Sequence, residues 1–99
     1  MLELDQVDRA TFAPHLGETF AAIFTDGRLP LTLTEIRAAG AARPGITREP
    51  FALIFSTPSK LRLPQRIYRL EHATLGAMEI FLVQTGVDAT TSTLEAVFT

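Results

Sequence analysis

The residue types best able to do chemistry in this chain are its two histidines. His72 follows Glu71 in the segment LEHATLG, and a histidine beside a carboxylate can act as a general base. Neighbouring residues of a strand point to opposite faces, so Glu71 and His72 would not meet if this segment is extended. We therefore predict that His72 caps or packs against the adjoining turn and has no catalytic role.

His15, in the segment APHLGE, offers a second imidazole. Together with His72 and a carboxylate it could complete a metal site of two histidines and one acid. No spacing in the sequence requires that arrangement, and a histidine near the C-terminal end of a helix is favoured there by the helix dipole. We therefore expect His15 to be a partly exposed residue at a helix end, and we predict no metal and no other cofactor.

Other signatures of catalysis are missing from the sequence. Ser56, Ser59 and Ser92 lack the glycine context of a nucleophile elbow. The segment AAGAARPG matches neither the phosphate-binding loop nor the dinucleotide fingerprint. The chain has no cysteine, which excludes thiolate chemistry and disulfides and mildly favours a reducing compartment. We predict a protein that is not an enzyme and has no catalytic residues.

Charge is arranged along the chain in three blocks. Residues 37–69 carry seven basic side chains against one acid, a net charge of +6. Residues 1–36 carry two basic side chains against six acids, and residues 70–99 carry four acids and no Lys or Arg, so each of these blocks has a net charge of −4. Such blocks can orient one protein surface against another.

The arginines in the basic block are the predicted partner-binding residues, namely Arg62, Arg66 and Arg69. Arg66 and Arg69 are three apart and would lie on opposite faces of a strand, so Arg62 and Arg66 are the better candidates for one patch. Two alternatives remain. Acidic residues of neighbouring strands would pair with these arginines, or Tyr68 between them would stack on a nucleic-acid base. The overall charge of −2 is unfavourable for binding phosphates.

The elements that must position these residues begin with a short helical region. Residues 5–17 form the best helix candidate, with Asp5 or Asp8 as cap and Gly17 as stop. Pro14 would remove an interior hydrogen bond unless it lies in the first turn of a second short helix. We therefore predict one or two short helical turns.

Short apolar segments separated by Gly and Pro dominate the rest of the chain, which is typical of strands. Asp26-Gly27 predicts a hairpin turn, and a segment that is apolar on both faces, 51–56, predicts a central strand. The predicted strands cover residues 18–25, 29–36, 51–56, 67–72, 75–85 and 94–99, and residues 38–47 are predicted to form a loop.

These elements predict a mainly β protein with one domain over residues 1–99. The expected fold is a small antiparallel barrel or roll of about six strands with a short N-terminal helical segment, which buries one apolar face and protects the sheet edges. The predicted core consists of Phe20, Leu31, Leu33, Phe51, Leu53, Phe55, Tyr68, Leu70, Ile80, Leu82 and Phe98.

The N-terminus MLELDQVDRA has acids where a signal peptide needs bases, and it has no apolar central region. No apolar run approaches the roughly 18 residues of a membrane span. We expect a soluble protein that is cytoplasmic, or assembled into a larger particle, and that does not bind membranes.

Several segments carry a recognisable combination: Phe12, Leu16–Phe20 (LGETF), Glu49–Phe51 (EPF), Leu63–His72 (LPQRIYRLEH) and Glu95–Phe98 (EAVF). Together they resemble a family of small bacterial proteins of unknown function, over nearly the whole chain except residues 26–47. The resemblance implies domain boundaries and carries no known activity. It also implies a genomic setting near phage-tail-collar-like proteins, and hence a structural or assembly role.

The function that these observations favour is a non-enzymatic structural or assembly module, which binds a protein partner or associates with itself. The resemblance would connect it with a phage-tail-like fibre or collar protein. The alternatives are a small barrel that binds an apolar ligand and a weak nucleic-acid-binding module.

Overall fold

The structure, a computed structural model, describes residues 1–38, 49–59 and 62–98. Its strands are β1 (Thr19–Phe24), β2 (Gly27–Ala38), β3 (Phe51–Thr57), β4 (Arg66–His72), β5 (Gly76–Val87) and β6 (Ser92–Phe98). All neighbours are antiparallel, in the order β1-β2-β3-β6-β5-β4, and β4 pairs with β1 to close the barrel. The predicted fold class is therefore confirmed. The predicted loop lies outside the described residues, except for Ala38, which ends β2.

The N-terminal region contains one α-helical turn, α1 (Arg9–Phe12), between two 3-10 turns, Leu4–Gln6 and Ala13–His15. Asp8 caps α1, because its Oδ1 atom accepts a hydrogen bond from the backbone N–H of Thr11. Pro14 lies in the first turn of the second 3-10 segment, where its missing N–H costs no hydrogen bond. The prediction of short helical turns is thus confirmed, with Asp8 as the cap of α1.

Side chains fill the barrel interior. All eleven predicted core residues are buried, and Phe12, Met78, Leu94 and Ala96 join them. Phe12 covers one end of the barrel, where its ring lies 6.2 Å from that of Phe51 and 5.9 Å from that of Phe98. The space that remains at the other end, beside Tyr68 and Leu82, does not admit a water molecule.

The hairpin of β4 and β5 positions the polar residues discussed below. His72 and Gly76 form the last pair of this ladder, and residues 73–75 make the turn. Gly76 has a φ of 82°, in the left-handed region that glycine adopts without steric cost. Tyr68, Leu70 and His72 point into the barrel, so the residues between them point outward.

The described helices are all very short, and none of them is long and apolar enough to cross a membrane.

Candidate functional site

The two histidines and Glu18 form a polar cluster at one end of the barrel. Glu18 lies just before β1, His15 ends the second 3-10 turn, and His72 ends β4. One atom of Glu18, Oε1, lies 2.7 Å from Nε2 of His72 and 2.9 Å from Nδ1 of His15. The imidazole rings are 4.6 Å apart between centroids. The sequence identified both histidines, and the structure supplies Glu18 as their shared carboxylate.

His72 is held from both sides, which determines where its hydrogen lies. Its Nδ1 atom accepts hydrogen bonds of 3.1 Å from the backbone N–H groups of Thr74 and Leu75. A ring nitrogen that accepts carries no hydrogen, so the hydrogen of the neutral ring lies on Nε2 and is donated to Glu18. His72 therefore holds the β4–β5 turn, as the sequence predicted. Its side chain is only 3% exposed.

The cluster has the composition of a metal site. His15, Glu18 and His72 each offer one ligand atom, and these atoms lie within 4.8 Å of one another. A metal-bound histidine, however, normally donates a hydrogen from its other ring nitrogen, whereas the other nitrogen of His72 accepts two hydrogen bonds. Metal binding through Nε2 would require His72 to give up both of its contacts with the turn. The donor set therefore favours a hydrogen-bonded cluster over a metal centre.

The electrostatics of the cluster agree with an ionised carboxylate. Hydrogen bonds from His15, and then from His72, hold the pKa of Glu18 below its ordinary value. Neither imidazole is hydrogen-bonded to a serine or threonine hydroxyl in the part of the chain that the structure describes. The arrangement lacks the nucleophile of a catalytic triad, and its evident effect is to connect the N-terminal turns to β4.

The three arginines predicted to bind a partner are exposed and lie in different places. Arg66 is the first residue of β4, and its guanidinium carbon lies 4.9 Å from the centre of the Tyr68 ring. Arg69 points outward from β4, where its Nε atom lies 3.6 Å from Oε2 of Glu71. Arg62 lines a surface groove of about 410 Å³. The structure therefore does not bring all three arginines onto one face, and their role in partner binding stays a prediction.

Tyr68 is not available for stacking. The residue is only 4% exposed, its hydroxyl donates a hydrogen bond to the backbone oxygen of Pro64, and Arg66 covers part of its ring. Burial raises the pKa of the Tyr68 hydroxyl. These contacts leave no open ring face for a nucleic-acid base.

Sequence reasoning missed an apolar pair on the outside of the barrel. Ile67 on β4 and Phe81 on β5 are directly opposite each other, and they are 62% and 51% exposed. The next outward pair of the same ladder is Arg69 and Glu79. We call the surface formed by these four residues the β4–β5 face. The alternation of inward and outward residues along both strands places Ile67 and Phe81 on the outward side, together with charged residues. The sequence therefore contained the information needed to find this pair.

Taken together, the fold and these features define a class: a small closed antiparallel barrel with a packed interior, a polar cluster at one end and an apolar pair outside. The sequence model of the family described as domain of unknown function DUF6916 matches residues 7–98. The chain belongs to this family, which confirms the resemblance to a family of unknown function. No curated protein and no solved structure matches the chain significantly.

Proposed function

We propose that this protein is a non-enzymatic interaction module that binds another protein surface through the β4–β5 face. The observation that carries the proposal is the exposed cross-strand pair of Ile67 and Phe81. Exposed apolar side chains that adjoin one another, with polar residues around them, are typical of protein-binding surfaces. Large apolar anchors of this kind supply most of the binding energy of many interfaces.

The packed interior is the reason to place binding on the outside. A site for a small apolar ligand usually needs a pocket of at least about 300 Å³. The barrel interior instead leaves no room for water beside Tyr68 and Leu82. An apolar ligand inside the barrel would have to displace core side chains, whereas a protein partner needs only the surface.

A charged row adjoins the apolar pair on the β4–β5 face. Arg69 and Glu79 form this adjacent outward row. Charged residues at the rim of an interface affect its association rate and specificity more than its affinity. In the setting that the resemblance implies, the module is associated with a phage-tail-like fibre or collar protein.

The test removes the apolar pair and keeps the strands. The variant Ile67→Thr/Phe81→Thr has a β-branched residue, which strands favour, at both positions, so we expect it to fold. Val87→Thr is the matched control, because Val87 also lies on β5 and is 45% exposed, but it pairs with the inward-facing Ser92.

Both variants are used as bait for the purified products of the genes that neighbour this one, and for a second copy of the chain. We expect the double variant to bind at least about tenfold more weakly, a loss of about 1.4 kcal/mol, and the control to bind normally. Equal binding by the double variant and the unaltered chain would show that this face is not the interface.

A further inference from the structure

We propose that the occupant of the β4–β5 face is a second copy of this chain, in a two-fold dimer in which Arg69 of each copy pairs with Glu79 of the other. This inference rests on the proposed function, because it names the partner of the same face. It follows from the register of β4 and β5 and from the charges that this register leaves on the surface.

Two successive outward rows define the geometry. Ile67 lies opposite Phe81 in one row, and Arg69 lies opposite Glu79 in the next. Partners within a row have Cβ atoms about 5 Å apart, and rows two residues apart are separated by about 6.5–7 Å. Each row thus spans both strands, and the charged row carries opposite charges on β4 and β5.

A two-fold axis parallel to the strands, lying above the face and between β4 and β5, makes these rows self-complementary. Rotation about this axis places β4 of one copy over β5 of the other. It leaves the position of each row along the strand direction unchanged, so each row faces the same row of the other copy. Ile67 then lies over Phe81 of the other copy, and Arg69 lies over Glu79, each contact occurring twice. An interface of this symmetry requires one patch that is complementary to itself, and this register provides it.

The charges around the face are distributed unevenly between its two strands. Glu71 is shared by two guanidiniums, with Arg28 at 3.7 Å and Arg69 at 3.6 Å. Glu79 is exposed and forms no ion pair with any residue that the structure describes. Positive charge therefore predominates on the β4 side and negative charge on the β5 side. In the dimer, each side lies over the side of opposite charge in the other copy.

The outer surface of a small barrel is convex, which limits how many rows can touch. The contact consists mainly of the two rows described above, so the dimer is weak and its population depends on chain concentration. Its formation should be measured by sedimentation equilibrium over concentrations up to about 1 mM, the weak end of the range of specific association.

A charge-exchange experiment tests the pairing. In Arg69→Glu, two glutamates would face each other at each contact, and in Glu79→Arg two arginines would do so. We expect each variant alone to self-associate at least about tenfold more weakly than the unaltered chain. An equimolar mixture of the two should associate again, because every contact between unlike chains then joins an arginine to a glutamate.

The mixture also contains its own control. Each variant has the same folding stability alone and in the mixture, so association that appears only on mixing reports contacts between chains. The chain has no cysteine, which allows a second readout that needs no charge change. Ile67→Cys mixed with Phe81→Cys should form an oxidised dimer of unlike chains more readily than either variant forms one alone.

Two results would overturn the inference: a chain that stays monomeric to about 1 mM, or a charge-reversed mixture that associates no better than its components. If the chain is monomeric but binds a neighbouring gene product in a manner that depends on Ile67 and Phe81, the second copy is wrong and the proposed function holds. If the Ile67→Thr/Phe81→Thr variant loses no association of either kind, both are wrong.

Discussion

At the scale of single residues, Glu18 uses one oxygen atom to hold two imidazoles. The hydrogen bond from His72 connects residues 54 positions apart in sequence, and the bond from His15 connects the same carboxylate to the N-terminal turns. Because Nδ1 of His72 is occupied by the turn, Nε2 is fixed as a donor toward Glu18. Three residues that could be read as a metal site are better explained as a connection between two segments.

The stability supplied by Glu18 should depend on pH. The pKa of Glu18 is lowered in the folded protein, first by the bond from His15 and then by that from His72. A carboxyl of this kind stabilises the fold fully above its unfolded pKa, near 4.5, and the contribution disappears as the pH falls through the lower folded value. In urea unfolding, the unaltered chain should therefore exceed Glu18→Gln in stability at pH 7, and the difference should shrink below about pH 4.5.

Glu35 provides the control for that experiment. Its pKa is also lowered, by a hydrogen bond and charge from Arg37 on the same strand, but this pair is exposed and joins no separate segments. Glu35→Gln should change stability less at every pH, since exposed ion pairs are screened by solvent and contribute little to stability. A difference between Glu18→Gln and the unaltered chain that does not vary with pH would contradict the assigned role of the ionised carboxylate.

At the scale of elements, β3 is the best-buried strand. Six of its seven residues are buried, on both faces of the strand. The apolar run over residues 51–56 predicted burial on both faces, but the prediction of a central strand does not distinguish β3, because every strand of the closed barrel has two paired neighbours. The alternation of apolar and polar residues also predicted the other strands, because the alternation of buried and exposed side chains in a strand involves only neighbours in sequence.

The sequence could not identify which distant residues meet. Glu18 reaches His72 only because β1 pairs with β4 when the barrel closes, and no local pattern gives that pairing. For Ile67 and Phe81, the sequence analysis failed for a different reason. Their alternation indicated an outward position, but apolar residues are assumed to be buried unless a partner surface is considered. The predicted core was therefore correct, while the outer apolar pair was missed.

Phe55→Ala tests the core at β3. Phe55 is fully buried and its ring lies 5.4 Å from that of Phe20 in an edge-on contact. Removing it should lower the free energy of unfolding by about 3–5 kcal/mol, because the remaining side chains cannot fill the space completely. Val97→Ala, at an outward position that is 58% exposed, should change stability by less than about 0.5 kcal/mol. A melting temperature that Phe55→Ala leaves unchanged would contradict the assignment of this position to the core.

At the scale of the whole molecule, the three charge blocks are folded into one small barrel. Several of the resulting ion pairs are short-range and exposed, such as Arg37 with Glu35 and Arg69 with Glu71. Others join separate segments, such as Arg9 with Glu49 and Arg28 with Glu71. Arg62 forms no ion pair within the described parts of the chain. The positive charge of the basic block is thus partly neutralised on β4, and it is least neutralised near Arg62 and Arg66.

Reversal of these two charges tests whether the basic block contributes to association. Arg62→Glu/Arg66→Glu should weaken binding to a protein partner much more than it lowers the melting temperature. The expected folding cost is small because Arg62 is exposed and the contact of Arg66 with Tyr68 contributes about 0.5–1 kcal/mol at such a site. The weakening should diminish in high salt, where the Debye length falls to about 3 Å at 1 M and exposed charges are screened.

Arg9→Glu is the control for a charge reversal elsewhere, because Arg9 is exposed and lies in α1, outside the basic block. Gel filtration and pull-down report association, and thermal unfolding reports stability. Unchanged association together with a lowered melting temperature for Arg62→Glu/Arg66→Glu would mean that these arginines stabilise the barrel and do not contact the partner. Association that falls to a similar extent in the double variant and in Arg9→Glu would indicate a general effect of net charge. Loss confined to the double variant, and reduced by salt, is the result that we expect.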